Sequence, residues 1–162
     1  MQTFLPFSDF RRCAEVLDAR RLGKQRVEVL QIMRALTVPG YAWKHHPAVL
    51  MWKGYEAALV AYGAAICGEW RRRGFADTCE AKILVDAAAA GVGRARSQAA
   101  LEKAGRLPPW LGDPALHRSH QSSLLRKDPA HYGPLFPGVP DDLPYEWPVR
   151  IAPVRRRRAA SS

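Results

Sequence analysis

The chain is poor in most of the features that would narrow its chemistry quickly. Three cysteines (Cys13, Cys67, Cys79) are scattered through 162 residues. An odd, widely spaced set neither builds a disulfide framework nor matches zinc-ligand spacing, so these read as reduced packing thiols and no metal or other cofactor is expected. No apolar run approaches the roughly 18 residues that a membrane span requires. The opening Met1-Gln2-Thr3-Phe4-Leu5-Pro6 lacks the basic start and long apolar stretch of a signal peptide. A cytoplasmic protein that engages no membrane is the expectation. Alternating strand patterns are almost missing, and no internal repeat is found. Lysine is scarce beside arginine and alanine, a bias that base composition alone can produce.

What is present is helical. Four stretches carry helical spacing, and the first runs over 10–36 before the turn signal Val38-Pro39-Gly40. Pro47 suits the first position of a second helix, over 47–73. In it Ala48, Trp52, Tyr55, Leu59, Tyr62, Ile66 and Trp70 recur as a core stripe. A third, alanine-rich stretch covers 77–103, with Gly91 and Gly93 as interruptions. Asp113 and Pro114 read as N-cap and first position of the fourth, over 114–127. Most of the prolines follow, so the C-terminal quarter should be extended and irregular. The expectation is an all-α fold: a compact bundle of about four helices with an irregular proline-rich C-terminal segment. Residues 1–149 would form one domain, monomeric in solution. Half of the net charge of +10 sits on Arg150, Arg155, Arg156, Arg157 and Arg158. Residues 150–162 therefore read as a disordered basic tail that adds salt-sensitive affinity for nucleic acid.

The densest chemistry lies in residues 20–28, Arg-Arg-Leu-Gly-Lys-Gln-Arg-Val-Glu. At 100° per residue Leu22, Val29, Leu30 and Met33 form the apolar arc, and Arg26 falls inside it. A guanidinium aimed at a core must be paired, so something acidic should meet Arg26, from the protein or from a ligand. Arg20, Lys24 and Glu28 share another face at i, i+4 and i+8.

Three further motifs carry polar chemistry. His45-His46-Pro47 leads into the second helix, where one imidazole can cap the helix or stand beside a phosphate or sugar. The fourth helix reads His117-Arg118-Ser119-His120-Gln121-Ser122-Ser123-Leu124-Leu125-Arg126-Lys127. Two histidines at i, i+3 could start a metal site, but no further ligands accompany them. Phosphate and base-edge contacts suit that polar set better, against a simply solvated face. Trp110, in the loop Pro108-Pro109-Trp110-Leu111-Gly112, is a hydrophobic anchor or a wedge that stacks on a base. Asp141 and Asp142 are read as surface.

With these residues laid out, the chain resembles the pyrimidine-dimer DNA glycosylase family, the phage endonuclease V-like enzymes. The likeness rests on the basic helix 20–34, on His45-His46-Pro47, on the corner Arg72-Arg73-Gly74-Phe75 followed by Asp77-Thr78, and on Arg126-Lys127 with His131-Tyr132. It extends over roughly residues 1–136 and is sharpest toward a bacterial branch. The resemblance implies a compact α-helical DNA repair enzyme that uses an N-terminal amine to attack the sugar C1′ of a damaged nucleotide, a glutamate on the first long helix assisting. Gln2 is too large for removal of the initiator, so the amine would be that of Met1. Glu28 stands two residues after Arg26, where the family's glutamate directly follows an arginine.

The expected function is glycosylase and/or AP-lyase action on damaged or modified bases in DNA, probed as duplex. Glu28 would be the general acid/base and Met1 the nucleophile, with His46, His117 and His120 as further catalytic candidates. Arg20, Arg21, Lys24, Gln25, Arg26, His45, Trp110, Gln121, Arg126 and Lys127 would contact the nucleic acid. Two alternatives stay open from the residues alone. One is a non-catalytic DNA- or RNA-binding module of the same fold. The other is a hydrolase or transferase of a small nucleoside or phosphorylated substrate.

Overall fold

In a computed structural model of the chain, residues 1–149 are described, and the arginine-rich segment expected to be a tail, 150–162, lies outside them. The described residues form eight helices and no strand, so the fold is all-α. The expected helices are there, but the first three are each divided in two.

The first divides at Leu17-Asp18. Asp9 caps α1 (Phe10–Val16) through Arg12 N–H, and Leu17 then turns the backbone to ψ 135°. Asp18 caps α2 (Ala19–Thr37) by accepting from Arg21 N–H. The Asp18 backbone N–H itself donates to the Tyr132 hydroxyl at 3.1 Å, and that hydroxyl donates to the Asp18 carboxylate. Two backbone donors freed by this break, Arg21 N–H and Asp18 N–H, are thereby satisfied.

The second divides at Gly54, whose φ of 86° is open to glycine at little cost. His46 caps the short α3 (Pro47–Leu50), and α4 (Glu56–Arg72) follows. The third gives α5 (Cys79–Ala89) and α6 (Gln98–Lys103), separated by the Gly91 and Gly93 interruptions. The fourth, α7 (Pro114–Lys127), has the expected bounds, with Asp113 accepting from Ala115 N–H as its cap. A last short turn is α8 (Pro129–Tyr132).

Helix α2 packs against α4 and α5, and α1 packs against α4. The α2–α4 approach is close: a Cβ on Gly63 would stand 2.9 Å from Val29 Cγ1. Around it a single hydrophobic cluster runs from Phe4 to Phe136, with Trp52, Tyr62, Tyr132 and Phe10 its largest fully buried members. Phe10 and Trp52 both lean on Tyr62, at 5.5 and 5.8 Å between ring centroids. Cys13, Cys67 and Cys79 are free thiols inside this packing. Among the described residues, no helix is long and apolar enough to cross a membrane.

The irregular C-terminal stretch is held down by α7. Arg126 Nη1 donates to the carbonyls of Asp141 and Leu143 at 2.8 and 2.9 Å. Ser122 Oγ accepts from Leu143 N–H, and Ser119 Oγ from Glu146 N–H. Those bonds place Tyr145 over His120, ring to ring at 4.4 Å.

Candidate active site

Residues 2–6 run extended between α2 and α7, and nearly every polar backbone group in them has a side-chain partner. Gln2 N–H donates to Glu28 Oε2 at 3.0 Å, and Gln2 C=O accepts from Gln25 Nε2 at 3.0 Å. Phe4 N–H donates to Gln25 Oε1 at 2.9 Å, and Phe4 C=O accepts from the Tyr62 hydroxyl at 2.7 Å. Leu5 N–H donates to His120 Nδ1 at 2.9 Å, and Leu5 C=O pairs with His117 Nδ1 at 2.7 Å. Pro6 C=O accepts from Gln121 Nε2 at 2.8 Å. Thr3 contributes its side chain instead, accepting from Trp52 Nε1 at 3.1 Å. Buried backbone groups need such partners, and here six side chains from three helices supply them. The effect is to hold Gln2 against Glu28.

Glu28 is buried, with only 5% of its surface exposed. Oε2 accepts from Gln2 N–H and from Gln25 Nε2, and Lys24 Nζ lies 3.6 Å from Oε1. Lys24 is itself open to solvent, so it screens Glu28 less than a buried partner would. The carboxylate looks into a cleft of about 210 Å³ lined by Gln2, Phe4, Arg20, Arg21, Lys24, Gln25, Glu28 and Lys127. Four cations thus rim one buried carboxylate, an arrangement that draws in a polyanion and presents it to an acid/base group. A larger cleft of about 660 Å³ lies between Leu36 and Arg106, but Glu56 and Arg106 are its only charged lining groups. It has no comparable chemistry.

His46 is not among the residues that line this cleft. Its Nδ1 accepts from Ala48 N–H at 3.1 Å as the cap of α3. Burial lowers its pKa first and the positive N-terminus lowers it further, while Glu28 opposes them. Sequence reasoning missed Tyr145, which lies in the stretch read as irregular. Its hydroxyl is buried with no hydrogen-bond partner among the described residues. Burial, and then Glu28, push its pKa far upward, so it stays protonated.

The other candidates divide clearly by position. Arg20, Arg21, Lys24, Gln25 and Lys127 gather with Glu28 and Gln2 at the cleft. Arg21 is partly engaged there, with Asp18 at 3.0 Å and the Lys127 carbonyl at 3.3 Å. Met1 is half-buried against the core. His45 lies away from this cleft, beside Lys44 and Lys53 in another of about 490 Å³.

His117 and His120 anchor Leu5 and do not line the cleft at Glu28. Gly112 N–H donates to His117 Nε2, leaving Nδ1–H to serve Leu5 C=O. His120 accepts from Leu5 N–H, and burial, followed by His117, pushes its pKa down to about 3. His117 is thus bonded through both ring nitrogens, whereas His120 is kept uncharged near neutrality by burial, its Nε2 without a hydrogen-bond partner among the described residues. Gln121, bound to Pro6, and Arg126, bound to two carbonyls, are likewise occupied by the protein.

Arg26 lies on another side of α2 from Glu28. Nη1 meets Asp77 Oδ1 at 2.6 Å, and the guanidinium carbon sits 4.4 Å over the Trp70 ring. The acidic partner demanded by its place in the apolar arc is therefore internal, and the guanidinium is engaged within the protein. Trp110 is an anchor and not a wedge: its Nε1 donates to Met51 C=O at 3.0 Å, and its ring meets Trp52 edge-on at 5.1 Å.

Residues 1–83 match a family model described as pyrimidine dimer DNA glycosylase. The matched stretch includes Gln2, Arg20, Arg21, Lys24, Gln25, Glu28, His46 and Tyr62. No curated protein and no solved structure matches the chain.

Proposed function

This chain belongs to the pyrimidine dimer DNA glycosylase family, and from that premise we propose that it cleaves the glycosidic bond of a damaged nucleotide in duplex DNA through the amine of Met1. The observation that carries this reading is the 3.0 Å bond from Gln2 N–H to buried Glu28 Oε2. It holds the start of the chain at a carboxylate in a cation-rimmed cleft. An α-amine has a pKa of about 8, so a useful fraction is neutral and nucleophilic near pH 7.

Arg20, Arg21, Lys24 and Lys127 grip the phosphates flanking the lesion, which brings the extruded nucleotide to the cleft. The amine nitrogen bonds to C1′ as the C1′–N bond breaks, and the base leaves with a proton. Ring opening at O4′ then yields an imine between Met1 and C1′. Glu28 takes a proton from C2′, and the 3′ phosphate departs by elimination. Gln25 and Tyr62 hold residues 2–4 so that the amine does not wander. Residues 1–149 act as one domain in this reading, and the protein works as a monomer.

The test is to incubate the protein with a duplex oligonucleotide carrying one abasic site and to add borohydride. Reduction of the imine leaves a stable protein–DNA adduct. Tight binding without any adduct would replace the enzyme with a non-catalytic DNA-binding module.

A further inference from the structure

Trp43 is the most conspicuous residue that the proposed chemistry leaves unused. It is 61% exposed, the largest exposure among the aromatic side chains of the described residues. Its φ is 72°, and it is the only non-glycine with positive φ among the described residues. For a bulky residue that conformation is strained, and such strain persists where the surroundings impose it. An exposed indole in a strained loop contributes little to the core, so stability does not account for it.

The surroundings fix the indole on one side only. Its ring stands edge-on to His46 at 5.9 Å, and the Trp43 carbonyl accepts from His46 N–H at 2.9 Å. His46 is immobilised in turn by capping α3 and by Trp147, edge-on at 5.8 Å. Trp147 leans on Tyr145 at 4.6 Å, and Tyr145 lies over His120. A row of rings therefore leads from the exposed indole inward to the side chains that hold residues 2–6. Beside the loop, Lys44, His45 and Lys53 line the 490 Å³ cleft, so positive charge accompanies the aromatic face.

We propose that Trp43 is a base-stacking platform, receiving an unstacked nucleobase beside the lesion while Lys44 and Lys53 contact the adjoining phosphates. The inference rests on the DNA-directed reading above and adds a nucleobase-binding site to it. An aromatic face accepts any base, because every base has a π-face, so the site senses that a base is unstacked and not which base it is. The ring fixed by His46 is held ready at little entropic cost.

The test measures affinity for two duplexes, one intact and one carrying a tetrahydrofuran abasic analogue with 2-aminopurine opposite. The parent protein is expected to prefer the abasic duplex and to quench the 2-aminopurine, whose emission falls when it stacks. Trp43→Ala should lose roughly 5- to 150-fold in affinity for the abasic duplex, the range for one stacked base. Its affinity for intact duplex should stay within about threefold, and the quenching should vanish. Trp43→Phe should retain most of the preference. Trp43→Gly, which the positive φ accommodates, should match the alanine variant without loss of thermal stability. An alanine variant equal to the parent on both duplexes overturns the inference and leaves the proposed function standing. A parent that does not distinguish the two duplexes overturns both.

Discussion

Helix α2 buries charge on two sides, and the two are compensated in opposite ways. On one, Arg26 meets Asp77, which is almost wholly inaccessible and also faces Arg71. Asp77 further accepts from Cys79 and Glu80 N–H at the start of α5. Burial alone would raise the Asp77 pKa, but the Arg26 hydrogen bond and those N–H groups hold it below the ordinary carboxylate range. On the other side, Glu28 has two amide donors and one solvent-exposed lysine. The first arrangement is closed, and its task is to join α2 to α5. The second is open to a cation-lined cleft, where an anion can still alter its surroundings. A buried pair closed within the protein is architecture, whereas a buried charge left facing a pocket is chemistry in waiting.

Exchanging the two sites by mutation should separate the roles. Glu28→Gln keeps shape and hydrogen-bonding capacity but cannot shuttle a proton, so turnover should fall by roughly two to four orders of magnitude. DNA affinity should hold or tighten, and a chemical denaturation curve should shift little. Full turnover by that variant would remove Glu28 from the mechanism and leave His46 as the remaining acid/base candidate. Arg26→Ala should do the reverse, costing about 3–5 kcal/mol of stability by stranding Asp77. At a temperature where it is still folded, its turnover should approach that of the parent. Equal denaturation midpoints for Arg26→Ala and the parent would break the contrast.

The clamp on Leu5 predicts a pH effect of intermediate size. An unfolded histidine titrates near 6.5, whereas burial brings folded His120 to about 3. The unfolded chain therefore binds the proton first as pH falls. The contribution is complete above about pH 6.5 and is lost progressively toward pH 3, at up to about 1.4 kcal/mol per pH unit. Asn at position 120 can still accept from Leu5 N–H without titrating. Denaturation of His120→Asn between about pH 4 and 6 should show a slope shallower than the parent's by that amount. An unchanged slope would place the acid sensitivity elsewhere. The smallest expected effect is at Lys24, whose exposed amine can leave without disturbing the core. Lys24→Ala should lower the slope of log affinity against log salt by about 0.9, with an unchanged melting temperature.

The contrast on α2 was half legible in the sequence. The place of Arg26 in the apolar arc demanded an acidic partner, because helical period alone fixes that direction. Which acid would arrive was not readable, since Asp77 comes from a loop 51 residues away. Asp113-Pro114 and His46-Pro47 announced their helices because capping is local chemistry. The break at Asp18 was hidden, because its completing partner, Tyr132, is 114 residues distant. Gly54 did leave a local signal, outweighed by the aromatic stripe that runs through it. At the site, Gln25, Glu28 and the cations stood out by their density on one helix. That His117 and His120 would hold Leu5 was not readable, because residues 2–6 show no period and nothing local reveals that an extended segment will use both rings. Trp43 and Tyr145 gain their meaning only from neighbours that folding supplies.

The central claim is that the fold holds the first residue at Glu28 so that its amine can react, and the borohydride adduct tests it most directly when mapped to a residue. Peptide mass analysis of the trapped adduct should place the reduced sugar on the α-nitrogen of Met1. A protein with a short peptide added ahead of Met1, which buries no new surface and leaves Glu28 intact, should bind abasic duplex yet form no adduct. An adduct on a lysine, or an undiminished yield from the extended chain, would contradict the account.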